Sequence, residues 1–249
     1  MAQRYLLRIE YDGGPFQGWQ RVGEGLPSVQ GALETAAARL NGAAPCPVWG
    51  AGRTDAGVHA LGQVAHLDLA RPLPADRLRD ALNAHLRPLP IAVLHAEPAE
   101  PDFHARFHAQ SRTYWYRILN RRSPAALDAG RVWQVMRPLA CEPMREAAAL
   151  LLGTHDFTTF RDSQCQAKSP VKTLHRLDIL RAGEEVHVWT GAPSFLHRQV
   201  RSIVGTLAEV GLGRRTARSV GEALAARDRA GCGQIAPAAG LYLAEVAYG

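Results

Sequence analysis

Two hydrophobic rhythms alternate along this chain of 249 residues, and their order constrains the fold more than any other feature. Tyr5, Leu7, Ile9 and Tyr11 recur at period two, the repeat of a strand that buries one face. After Pro27, Ser28 stands as a helix N-cap, and Val29, Leu33, Ala36, Ala37 and Leu40 form one helical stripe. Strands are expected near 46–51 and 62–69. A helix near 75–86 uses Leu78, Ala81, Leu82 and His85, and a strand at 91–96 follows. The order is β-α-β-β-α-β, the split arrangement of ferredoxin-like and RRM-like domains.

The second half repeats the pattern. A strand at 112–119 precedes a helix near 143–152 that carries Met144, Ala147, Ala148 and Leu151 on one face. Strands at 173–180 and 185–190 lead to a helix at 198–210, with Val200, Ile203, Val204 and Leu207 as its stripe and Gly211 as its C-cap. A short helix at 217–226 and a strand at 241–248 finish the chain. The expected class is α/β (α+β) in two halves, 1–107 and 108–249, joined near 103–111. Two such units would leave a cleft lined by loops from both.

Between two expected strands lies Gly50-Ala51-Gly52-Arg53-Thr54-Asp55-Ala56-Gly57-Val58-His59-Ala60. Glycines serve where a backbone turns tightly or admits a ligand closely. An aspartate on such a connection either bonds its own backbone or is presented for chemistry, and the residues alone leave both open.

Composition narrows the partners. The formal charge is +6, and 27 of the 29 basic residues are arginine, with only Lys168 and Lys172 as lysines. Such a balance suits a polyanion, although a GC-rich genome would produce the same arginine excess. The four cysteines, Cys46, Cys141, Cys165 and Cys232, lack the spacing of a zinc site or a disulfide framework. No apolar run approaches the roughly 20 residues of a membrane span. Met1 to Arg4 leads into a strand without a signal-peptide core. A reducing, cytoplasmic setting is expected.

The Gly50–Ala60 run resembles the signature of the TruA-type tRNA pseudouridine synthases. Further blocks are similar to that family in its own order. They are Glu10-Tyr11-Asp12-Gly13 with Phe16, Gly18, Trp19 and Gln20, then Asp102-Phe103-His104-Ala105-Arg106-Phe107 with Arg112, Tyr114 and Tyr116. Gly153 with His155-Asp156-Phe157 and Phe160 follows, then Phe195, Val200, Arg201 and Gly205, and last Gly240-Leu241-Tyr242-Leu243. Two differences stand out: Lys172 where the family often has arginine, and Ser202 where asparagine is common.

The resemblance implies the pseudouridine synthase fold, two α/β halves sharing a central, mostly antiparallel sheet. It also implies isomerisation of uridine in the anticodon stem-loop of transfer RNA, at about positions 38, 39 and 40, by a homodimer. No metal, nucleotide or organic cofactor and no membrane partner is expected. By resemblance Asp55 is the catalytic carboxylate, Arg201 its arginine partner, and Tyr114 the ring that stacks on the target base. Arg53 would fill the gap left by that base or hold a phosphate, and His59, His104 and Arg106 lie near the site or on RNA. Without the motif, Arg201 and Arg53 read as solvated arginines, and Tyr114 and Tyr116 as sheet-face core, the role assigned here to Tyr116.

Two rival readings remain on the residues. A non-catalytic RNA-binding or RNA-folding protein would share the basic surface but would not need Asp55. Phosphoryl transfer or hydrolysis would need a phosphate-binding lysine after the glycines or a second carboxylate beside Asp55, and the sequence has neither there.

Overall fold

The structure, a computed structural model, describes residues 2–23 and 25–249; Met1 and Glu24 lie outside it. It is mixed α/β, with mostly antiparallel strand pairing and five α-helices among the described residues. The chain divides into two compact units, one running through Gln110 together with Tyr242–Gly249, the other Ser111–Leu241. No helix among the described residues is long and apolar enough to cross a membrane.

In the first unit β1 (Gln3–Tyr11), α1 (Val29–Leu40), β2 (Trp49–Gly50), β3 (His59–Leu69), α2 (Ala75–Leu86) and β4 (Ile91–Pro98) follow the expected order. β1 pairs antiparallel with both β3 and β4, with Tyr5 opposite Leu67 and Leu7 opposite Ala65. Tyr5, Leu7, Ile9 and Leu67 are therefore on one buried face. Ser28 caps α1 by accepting from the Gly31 amide, which satisfies one of the amides left over at a helix start. Leu33, Leu78 and Leu82 are fully buried, each contributing ~1.5–3 kcal/mol of apolar transfer. The α2 stripe is Leu78, Leu82 and Leu86, and His85 is exposed, so the i, i+4 repeat continues through Leu86 instead. Asn83 ties α2 to β4 by exchanging two bonds with the Val93 backbone, at 2.8 and 2.9 Å.

The second unit contains β5 (Ser111–Leu119), β6 (Trp133–Gln134), α3 (Cys141–Ala149), β7 (Gly153–Asp156), β8 (Val171–Leu174), β9 (Arg176–Ala182), β10 (Glu185–Ala192), α4 (Gln199–Gly211) and α5 (Ala217–Ala226). β10 lies antiparallel between β5 and β9. The segment at His155 and Asp156, where the sequence pattern offered no strand, is one: β7 pairs with β8, His155 opposite Lys172. The single strand expected at 173–180 is divided at His175, because β8 follows β7 while β9 follows β10.

α4 buries eleven of its thirteen residues, so it is enclosed rather than amphipathic. Gly211 is its last residue and not its cap. A Cβ there would stand 2.6 Å from Met144 Sδ, so this glycine serves helix packing. The left-handed turn falls on Gly213, at φ +69°. The last strand, β11 (Leu241–Ala247), joins the first unit, where it runs parallel to β3 with Tyr242 opposite His59.

Candidate active site

Asp55 sits half-buried on the loop from β2 to β3, and the loop is fixed from several sides. At its base, the Gln63 side chain spans the turn: Nε2 donates to the Gly52 carbonyl at 2.8 Å and Oε1 accepts from the Gly52 amide at 3.3 Å. Beside Asp55, the buried Thr54 Oγ1 lies 2.8 Å from Tyr11 Oη. Burial pushes the Tyr11 phenol up to about 12, so it stays protonated and can donate at any working pH. After Asp55, the Val58 amide donates to the Asp55 carbonyl at 3.1 Å and closes the turn.

The segment after β1 clamps the same loop. The Trp19 amide donates to the Thr54 carbonyl at 3.1 Å, and the Gly57 amide to Phe16 O at 3.3 Å. Gly18 must be glycine: its φ is +102°, and a Cβ would stand 2.5 Å from the Thr54 carbonyl. The buried Trp19 indole lies over Gly50, where a Cβ would come within 2.5 Å of the ring. Two blocks some thirty residues apart in sequence therefore form one rigid mount for a carboxylate.

His59 opens β3 and is only 2% exposed, stacked on Tyr242 at 4.7 Å. Its Nδ1 is 3.1 Å from both the Gly13 amide and Asp12 Oδ1, and it can accept from the first or donate to the second, not both together. Its place is inside the mount. Arg53 is exposed on the loop. Arg106 is also exposed, but it belongs to a turn whose Ala105 amide bonds His66, seven residues along β3 from His59. At strand rise the two positions are about 20 Å apart. The first unit thus groups Arg53, Asp55 and His59 and holds Arg106 away from them.

In the second unit Tyr114 lies on β5, 9% exposed, with its ring edge-on to Phe195 at 5.2 Å. Tyr116, two residues on, is fully buried as expected, and its hydroxyl donates to Pro237 O at 2.7 Å. Burial raises its phenol above the usual tyrosine range. Arg201 is in the first turn of α4 and is clasped to Ala236: Nε donates to the Ala236 carbonyl at 2.7 Å, and the Ala236 amide donates to Arg201 O at 3.0 Å. One edge of the guanidinium is thereby oriented by backbone. Just before α4, Arg198 has a left-handed φ of +57° and donates to the buried Asp162 at 3.0 Å. Asp162 is held below the usual carboxylate range, against the cost of burial, by the Gln164 amide and the Arg198 and His197 charges.

Sequence reasoning located the Asp55 loop but not its supports, Thr54 with Tyr11 and Gly50 with Trp19. Each pair lies in two quoted blocks, and the glycines beside bulky aromatics were the signal available.

A family model for tRNA pseudouridine synthase matches residues 8–108 and 147–249. Among curated relatives, a tRNA pseudouridine synthase A of Maricaulis maris is 59% identical over 98% of both chains. One of Rhodopseudomonas palustris is 60% identical over 98% of this chain and 99% of its own. Another, of Nitrobacter winogradskyi, is 61% identical over 98% and 95%. The chain belongs to the tRNA pseudouridine synthase family.

Proposed function

We propose that this protein isomerises uridine to pseudouridine in the anticodon stem-loop of transfer RNA, at about positions 38, 39 and 40, as a cytoplasmic homodimer. The observation that carries the reading is the mounted Asp55. A carboxylate on a loop locked by Tyr11, Trp19 and Gln63 is held in one place, which a nucleophile needs and a solvated turn aspartate does not.

The reaction breaks the bond from ribose to the base nitrogen, turns the base and rejoins it through carbon, with one proton lost from that carbon and one gained by the freed nitrogen. Asp55 acts as the nucleophile or electrostatic partner. Arg201, its fork oriented by Ala236, is the cationic partner of that carboxylate. Tyr114 stacks on the base once it leaves the helix. Extrusion costs a few kcal/mol and stacking returns about 1–3 kcal/mol, so one ring largely offsets it. Arg53 is exposed and suited to the gap or to a phosphate. His59 acts through the Gly13 segment that it holds. The chemistry calls on no cofactor. By this reading the first half, 1–107, brings the carboxylate and the second, 108–249, brings the stacking ring and the arginine.

The test is pseudouridine mapping on unmodified transfer RNA with pure protein beside Asp55→Asn. New pseudouridine in the anticodon arm with wild type alone is the expected result. RNA binding without product in either sample would favour a non-catalytic RNA-folding role.

A further inference from the structure

Among the described residues the exposed large aromatic side chains are Trp49, at 41%, and Phe107, at 73%. They end one continuous chain of rings. Trp49 stacks on His66 at 5.0 Å, His66 meets His104 edge-on at 4.7 Å, and His104 packs on Phe107 at 4.3 Å. An apolar ring left this far in water forgoes its burial energy, so its position asks for a cause.

The backbone that carries Phe107 is rigidly anchored. Ala105 is fully buried; its amide donates to His66 Nδ1 at 3.1 Å, and its carbonyl accepts from Tyr248 Oη at 2.6 Å. The turn closes on itself, with the His108 amide on His104 O at 3.0 Å and the Arg106 amide on His104 Nδ1 at 3.1 Å. A turn pinned at its buried residue projects the next two outward. These are Arg106, whose guanidinium lies 5.9 Å from the Phe107 centroid, and Phe107 itself. A planar apolar face beside a cation, on a pre-ordered turn of a basic protein, fits a nucleobase and its phosphate, since stacking needs little further ordering.

We infer that Phe107 stacks on a base of the substrate RNA, with Arg106 on the adjoining phosphate, as a positioning contact remote from the reacting uridine. The inference rests on RNA being the substrate. Its distance of about 20 Å from the Asp55 end of β3, by strand rise, keeps it from touching the target base. It therefore contributes binding shared equally by ground and transition states, which moves KM and not kcat.

The experiment measures pseudouridine formation on an unmodified transfer RNA, and RNA affinity by filter binding, for wild type and Phe107→Ala, →Leu and →Trp. In the Ala and Leu variants KM and Kd are expected to rise about tenfold, with kcat within twofold, and the Trp variant should match wild type. Leucine keeps apolar bulk without a π-face, so full affinity in Phe107→Leu would overturn stacking. Unchanged KM and Kd in Phe107→Ala, or a fall in kcat alone, would overturn the inference outright. Absence of product with wild type would reject the enzymatic reading instead, and a Kd that still rises in Phe107→Ala would leave the RNA contact standing.

Discussion

Tyr11, the last residue of β1, and Thr54, the residue before Asp55, share a buried hydrogen bond of 2.8 Å. It joins the opening strand to the Asp55 loop at the position where a small displacement would move the carboxylate. Tyr11→Phe keeps the ring packed on Trp19 but leaves the Thr54 hydroxyl without this partner. The expected cost is about 1–2 kcal/mol in denaturant unfolding, with a lower kcat and little change in RNA affinity. Unchanged kcat would mean that the loop holds Asp55 without this bond.

Gly18→Ala tests the clamp from the other side. At φ +102° with the Thr54 carbonyl 2.5 Å from a new Cβ, the loop must shift, and we expect a loss of about 2 kcal/mol or more together with activity. Gly23→Ala is the control. Its φ is +75° but nothing lies within 4 Å, so only backbone strain of about 1 kcal/mol should appear, without loss of activity. Equal effects from the two would refute the clamp.

Arg201→Lys retains charge but loses the planar fork that Ala236 orients through Nε. RNA binding should be nearly unchanged and turnover at least about tenfold slower. Equal single-turnover rates would leave the guanidinium geometry without catalytic meaning.

His66 gives a pH prediction. Burial above all, with the His104 and Arg4 charges adding, lowers its pKa to about 4, and Asp68 opposes them. An unfolded chain protonates this histidine below about pH 6.5, whereas the folded chain waits until near 4. Stability should therefore fall as pH drops through that window, by up to about 1.4 kcal/mol per pH unit from this group. A neutral Nδ1 is also what accepts the Ala105 amide. Following the His66 ring by NMR from pH 7.5 to 4 should show it neutral until the lower end. A midpoint near 6.5 would contradict its buried environment.

Local periodicity carried much of the fold. The β1 alternation, the Ser28 cap and the α1 stripe were legible because each depends on neighbours within four residues. The Gly50–Ala60 connection was equally readable as a glycine-bounded turn between two strands, with the role of Asp55 left open by the residues alone. What failed did so at long range. β7 is four residues of mixed polarity, and only its pairing with β8 makes it a strand. Gly211 looked like a cap because caps are commonly glycine, but the side chain of Met144, far back in the chain, sets its role. Arg201 is one of the two α4 residues outside the buried set, and what its own helix does not encode is the clasp to Ala236, thirty-five residues on.

The sequence by itself determined the α/β class, the family, and which aspartate lies on the glycine-bounded loop, since residue identity and short spacing suffice for these. Tertiary structure alone decided that Tyr11, Trp19 and Gln63 lock that loop, that His59 is sealed inside the first unit while Phe107 is projected from it, and that β11 runs beside β3. The reason is physical. Hydrogen bonds and ring contacts between segments tens of residues apart exist only after the chain has folded back on itself, and no local pattern encodes which partner each group will meet.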